Sequence, residues 1–404
     1  MESAVISIAR RAPRKMMNTK TLCTATICTM TLAFAAAALA QSTLTPQQKK
    51  QDKLVHINQI QVIGSHNSYH AGFAPSEHKL LEKVNPKTLR SLDYSHAPLG
   101  DQLSGGVRQI EIDVFADTKG GRFSHINFDD RVAAAGLPAD PPFNADHVMD
   151  KPGFKVMHVQ GLDQRSTCQT FVLCLTAVRT WSKQHPNHLP IFILVEIKEG
   201  TVREIPDAPV AVPFTAELFD LLDAEIRSVF KPGEFITPDE VRGKYDTLNA
   251  AVKAGAWPTL DKARGRVVFL MDQRHVESIY TENHPSLRGR ILFTNAEPGL
   301  PDAAFTEQND GTRATIDDLV KQGYLVRTRT DEGTEQARTN DTTHRDLALS
   351  SGAQMLSTDY PPSEPSQWTS YFVGLPGGLV ARCNPLNKPA GCVDSLLQDY
   401  PPTK

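Results

Sequence analysis

Short apolar, β-branched runs recur along the chain, each followed by a polar or helix-periodic stretch. Eight of them read as strands: "INQIQVIGS" (57–65), "VRQIEIDVF" (107–115), "FKVMHV" (154–159), "PIFILVEIK" (190–198), "RVVFLMD" (266–272), "RILFTNA" (290–296), "YLVRTRT" (324–330) and "AQMLSTDY" (353–360). Between several of them, apolar residues fall at helical spacing: "CQTFVLCLTAVRTWSKQH", "TAELFDLLDAEIRSVF", "TIDDLVKQG" and "DTTHRDLALSSG". Strand–helix alternation predicts a parallel sheet, and eight such units in one domain predict an α/β protein of the (β/α)8, or TIM, barrel type. An open doubly wound sheet is the alternative, but no G-x-G-x-x-G or P-loop pattern follows any strand. Long connections at 68–105 and 116–153 leave the C-terminal ends of the first two strands, where a barrel carries its active-site loops. A third, 200–265, holds a helix and Pro/Gly-rich excursions.

Composition alters this picture mainly at the N-terminus. "RRAPRK" and Lys20 precede the small-residue apolar run "TLCTATICTMTLAFAAAALA", which ends in Ala38-Leu39-Ala40. This predicts a secretory signal peptide over 1–40, cleaved after Ala40, and a secreted or periplasmic mature protein. A membrane anchor is the competing reading, but small residues make the run weakly hydrophobic. The long basic region also allows translation to start at Met16 or Met17. A polar linker is expected over 41–53, then one barrel over 54–404 with a tail from Trp368. After cleavage, Cys168, Cys174, Cys383 and Cys392 remain. Each pair is close in sequence, which predicts two local disulfides in an oxidising compartment. A zinc site is the alternative, without the tight C-x2-C spacing it prefers. The formal net charge of -3 argues against nucleic acid as a partner.

Candidate chemistry gathers where strands end. The first four predicted strands finish in His66-Asn67, Glu111-x-Asp113, His158 and Glu196, so in a barrel all would converge on one mouth. Glu111 and Asp113 are two apart and share a side of their strand, which is costly unless they share a cation. Carboxylates and an amide are hard oxygen ligands, suited to Ca2+, or to Mg2+ with more water, rather than to Zn2+. Histidines flanking such an ion suit acid–base work and stabilisation of a developing oxyanion, as in a metal-assisted phosphodiesterase. Taken singly, a strand-end histidine is more often a hydrogen-bonded structural group, and a strand-end carboxylate more often a cap or ion-pair partner. Their joint occurrence at consecutive strand ends favours a site. His66 and His70 have the spacing of a zinc helix, but H-N-S-Y-H lacks the general-base Glu and follows a strand.

The motifs "GSHNSYH", "QIEIDVF", "VMHV", "ILVEIKEG", "VRTRTD" and "SGAQMLSTDY" resemble those of the calcium-dependent phosphatidylinositol-specific phospholipases C, PLC-like phosphodiesterases of the TIM-barrel superfamily. The resemblance implies a secreted enzyme that splits phosphatidylinositol-type lipids into diacylglycerol and a cyclic or opened inositol phosphate. It further implies His66 and His158 as catalytic residues, the first stabilising the phosphorane and the second acting as general acid. Asn67, Glu111, Asp113 and Glu196 would be calcium ligands, and one of the glutamates would double as base. Lys198, Arg327 and Arg329 are expected to bind substrate, although each has a purely structural reading as a surface charge or ion-pair partner. A monomer with transient membrane-surface contact is expected. Glycerophosphodiester phosphodiesterases share the E-x-D pair but open on H-R-G and follow the second histidine with Asp; here the neighbours are Asn67 and Val159. A barrel glycosidase using Glu111 and Glu196 would leave His66, Asn67, Asp113 and His158 unexplained. A non-catalytic lipid- or sugar-binding barrel would not need the two histidines.

Overall fold

The computed structural model describes residues 43–203 and 205–399. The proposed signal peptide lies outside them. Nine strands form one sheet: β1 (Ile60–Ser65), β2 (Gln109–Val114), β3 (Ile191–Ile197), β4 (Phe235–Ile236), β5 (Val267–Met271), β6 (Phe305–Glu307), β7 (Leu325–Arg329), β8 (Met355–Thr358) and β9 (Ala381–Cys383). The order is β4-β5-β3-β2-β1-β8-β7-β6, all parallel, with β9 antiparallel on β1. Parallel bridges from Leu270 to Phe293 and from Asn295 to Phe305 link β5 to β6 and close the ring. The expected barrel is therefore present, with residues 293–295 as one short stave.

Continuous apolar sequence makes the inner staves. In "IFILVEI" every residue is buried except Glu196, as expected of a parallel strand covered on both faces. Helices cover the outside. Ala216–Val229 buries Phe219, Leu222 and Ile226, and its N-cap Thr215 accepts a hydrogen bond from Leu218 N. At the base, buried Arg108 forks onto Asp399 at 2.9–3.1 Å and ties the C-terminal segment to the barrel.

Two predicted strands differ. "FKVMHV" is not a stave, and β2 pairs directly with β3 (Glu111 with Leu194, Asp113 with Glu196). The segment bridges Phe115 and Thr170 through Lys155, then folds back so that Val159 pairs with Asp163. Met157 packs in a satellite cluster with Phe115, Phe123 and Met149, so its apolar pattern serves the long β2–β3 connection. "RILFTNA" is reduced to isolated bridges. The two-residue β4 and three-residue β6 and β9 were too short to stand out in the sequence.

The stretch expected to be a linker contains a helix, Pro46–Asp52, capped by Thr45. Its polar composition hid two anchors: Asp52 pairs with Arg264 at 2.7 Å, and Gln51 bonds to Val393. Both expected disulfides, Cys168–Cys174 and Cys383–Cys392, are formed. Among the described residues, no helix is long and apolar enough to cross a membrane.

Candidate active site

β1 ends by continuing its ladder one step, with His66 N bonded to Thr358 O at 2.9 Å. Asn67 then takes a left-handed backbone (φ 45°), which turns the chain so that Ser68 N reaches Glu111 O. Gln102 holds this turn by donating to Ser68 O and Ala97 O. The His66 ring is thereby aimed at the mouth. Its Nδ1 lies 2.7 Å from Asp359 Oδ1, and a carboxylate can only accept, so Nδ1 carries the proton. Nε2 faces Glu111 Oε1 at 3.5 Å. Burial, then Arg329 and Arg327, holds this imidazole well below its ordinary pKa.

His158 comes from the folded-back loop. Its Nδ1 donates to Asp163 Oδ2 at 2.9 Å, while His70 Nε2 lies 2.8 and 2.9 Å from the same carboxylate. Asp163 is buried, yet its two imidazole partners hold its pKa well below the usual range. The sharing is unequal. Asp163 raises His70 against the cost of burial, whereas burial keeps His158 low.

The third group is the set of carboxylates. One oxygen from each of Glu111, Asp113 and Glu196 lies within 4.8 Å of the others. Burial pushes the Glu111 carboxyl up to about 7, against the opposing charge of Arg327. Glu196 is only partly buried, and against that partial burial the Lys198 ammonium brings it down to about 2. Asp113 is fully buried and neither oxygen takes part in an aligned hydrogen bond, although Lys198 Nζ stands 2.9 Å from Oδ2. An under-satisfied buried carboxylate among other hard oxygen donors fits an oxygen-ligated divalent cation. Asn67 adds an amide: its Nδ2 donates to Tyr94 OH, leaving Oδ1 with a 3.4 Å contact to Tyr69 OH.

His66, His158, Glu111 and Glu196 line one polar cavity of about 370 Å³ at the C-terminal mouth, together with Asp272, Asn309 and Glu332, while Asn67, His70, Asp113 and Asp163 are buried behind its wall. A cavity of about 400 Å³ beside Phe372 and Val380 is mainly apolar and brings no acid–base pair together. The chemistry lies at the mouth.

A family model for phosphoinositide phospholipase C, Ca2+-dependent, matches residues 55–385. The chain belongs to this family. Its members are phosphodiester-cleaving enzymes, and so is this protein. Among solved structures, the chain is similar to a calcium-dependent phosphoinositol-specific phospholipase C from Pseudomonas sp. (15% identity, TM-score 0.49, covering 85% of this chain and 99% of that one). It is similar to a Ca2+-dependent phosphatidylinositol-specific phospholipase C from Streptomyces antibioticus (18%, TM-score 0.45, covering 76% and 95%). A phosphatidylinositol-specific phospholipase C from Listeria monocytogenes aligns at 12% identity and TM-score 0.39, covering 78% and 94%. No curated protein matches the sequence.

All nine polar residues singled out from the sequence for catalysis, metal or substrate lie at this mouth of the barrel or beside it. Their partners refine three of them. Arg327 is buried and engaged: it bonds Glu111, Glu307 at 3.2 Å and Asn309 at 2.9 Å, which makes it an internal counter-ion rather than an open phosphate fork. Lys198 is paired with Glu196 and Asp113. Arg329 is less committed: its Nη2 stands 3.3 Å from His66 Nδ1 and 3.8 Å from Asp359 Oδ2, and its Nε makes no aligned hydrogen bond.

Sequence reasoning missed four contributors. Asp359 and Asp163 orient the histidines, Tyr94 bonds Asn67, and Asp272 lines the mouth with its carboxyl raised to about 6, mainly by burial. Asp272 closes the predicted strand "RVVFLMD" and so carried the same strand-end signal as Glu196. Asp163 and Tyr94 carried none.

Proposed function

We propose that the protein is an exported calcium-dependent phosphodiesterase that cleaves phosphatidylinositol-type lipids to diacylglycerol and a cyclic inositol phosphate. The supporting observation is a pair of partly buried imidazoles at the mouth, each held through Nδ1 by a buried carboxylate and lying beside three clustered carboxylates. Asn67, Glu111, Asp113 and Glu196 would hold the ion. When bound, Ca2+ supplies charge that lowers the pKa of the attacking hydroxyl and stabilises the phosphoryl oxygens.

The chain's own groups do the rest. The inositol 2-hydroxyl attacks phosphorus and gives its proton to a cluster glutamate. The P–O bond to glycerol breaks, and His158 Nε2 delivers a proton to the departing alkoxide. His66 stabilises the phosphorane oxygens. Both imidazoles are neutral at rest, and an anionic phosphodiester between them favours their protonated forms, which Asp359 and Asp163 then support. Arg329 is the guanidinium left to meet the phosphate. Exposed Val84 and Val210, on connections that leave the mouth, offer apolar contacts to a lipid surface. Two local disulfides suit an oxidising compartment, in keeping with export.

Product identification by phosphorus NMR tests this reading on phosphatidylinositol, a glycerophosphodiester and a glycoside. A cyclic phosphate signal from phosphatidylinositol alone is expected. Faster turnover of the glycerophosphodiester, without a cyclic product, would overturn it.

A further inference from the structure

The position of Lys198 assigns it a task that substrate binding alone does not explain. Glu196 lies inside β3 and Lys198 one residue past it, with its N–H still on Val114 O, so the two project to the same side. Across the ladder Glu196 is in register with Asp113. The Lys198 ammonium therefore sits between two metal-type carboxylates, 2.8 Å from Glu196 Oε1 and 2.9 Å from Asp113 Oδ2. Arg327 accounts for Glu111 in the same way. Two of the cluster's three carboxylates thus share one displaceable charge.

We propose that Lys198 is an exchangeable internal cation: a divalent ion entering the cluster displaces its ammonium, which is then released to the phosphate of the substrate. This rests on the calcium reading given above. The same Asp113 and Glu196 oxygens cannot serve both cations, and an ammonium left beside a bound divalent ion would be repelled by it. The lysine is able to leave. Its stem is flexible, its side chain is 20% exposed, and the polar cavity lies in front of it. Arg327 is not comparable, since its guanidinium is buried and also holds Glu307 and Asn309.

Two consequences separate this exchange from a fixed salt bridge. Removing the lysine removes a competitor, so calcium should bind more tightly. Lys198 should aid phosphate binding only after calcium has entered. The coupling expected of such linked sites is on the order of 5–150-fold.

Calorimetric titration of the purified full-length mature protein with CaCl2, and with myo-inositol 1-phosphate in EDTA or saturating calcium, reads both. Lys198→Met should bind Ca2+ at least ~10-fold more tightly than the wild type. In EDTA the two proteins should bind the inositol phosphate alike, whereas in calcium the wild type should bind it several-fold better. Should Lys198→Met not fold, Lys198→Gln carries the same comparison, since it removes the positive charge that competes with the ion while keeping a polar side chain. Equal or weaker calcium binding by the variant would overturn the exchange while leaving the calcium site intact. Phosphate affinity that depends on Lys198 equally in EDTA would also overturn it. Heat of binding from neither protein would remove the calcium site itself, and the exchange with it.

Discussion

Asp163→Asn probes the acid half of the chemistry without touching the cavity wall. Asp163 is fully buried and accepts from His158 Nδ1 at 2.9 Å and from His70 Nε2 at 2.8 Å. An asparagine keeps the shape but has one acceptor oxygen, so one imidazole N–H would face an NH2 donor. Hydrogen bonds to a charged group contribute about 1.5–3 kcal/mol each, so losing one of the two should cost about 1.5–3 kcal/mol of stability. The pH sign follows from the depressed Asp163 pKa. Its stabilisation is present above the unfolded value, about 3.9, and is lost as pH falls through the lower folded value. Wild type and variant should therefore differ in denaturant midpoint at neutral pH and converge in strong acid. Catalysis should change as well. Asp163 raises the His158 pKa, so its loss lowers the fraction of His158 able to donate a proton. One such hydrogen bond corresponds to about 1–2 pH units, at 1.36 kcal/mol per unit. The alkaline limb of kcat/KM should move down by that amount. A limb that stays in place, in a variant shown to be folded, would refute the role given to the Asp163–His158 pair.

The two histidines should separate by leaving group. A nitrophenyl ester of inositol phosphate departs without a proton, so it should recover most of the ~10²–10⁴-fold loss of His158→Ala, while His66→Ala stays impaired on both substrates. Rescue of His66→Ala alone would mean that the roles are exchanged. Arg327→Ala leaves Glu111 and Glu307 buried without their counter-ion and should cost about 3–5 kcal/mol in denaturant unfolding. Arg329→Ala should cost little stability but raise KM; the reverse pattern would mean that the two arginines are misassigned. Removing the Cys383–Cys392 bridge should cost about 2–3 kcal/mol. An unchanged melting curve would show that the tail is held by Arg108–Asp399 and packing alone.

The parallel barrel was legible because its long staves are uninterrupted apolar runs, "IFILVEI" above all. The carboxylates were legible for the same reason, since Glu111, Asp113 and Glu196 break such runs near their ends. "FKVMHV" misled because a loop that packs its own cluster shows the same alternation as a strand. His158 was found, although its support was misread: it stands on a loop held by Asp163 rather than on a strand tip. Asp163 lies five residues beyond His158 inside that fold-back, and Tyr94 lies in a connection with no strand nearby. Their proximity arises from tertiary closure, which spacing does not encode. The charge pairing was likewise hidden. From sequence Arg327 and Lys198 could be substrate-binding or purely structural charges, and only the register of β2 against β3 and the approach of β7 show which carboxylates they face.

The proposed reaction is a calcium-dependent cut of a phosphoinositide at this cluster. Its most direct measurement is diacylglycerol release from phosphatidylinositol vesicles by the purified mature protein in excess EDTA, then after added Ca2+ or Zn2+. No release is expected in EDTA, with recovery on added Ca2+ and little on added Zn2+. No recovery with Ca2+ is expected in Asp113→Asn, whose buried side chain would lose its charge. Full release in EDTA, or an Asp113→Asn enzyme that responds to Ca2+ as the wild type does, would contradict it.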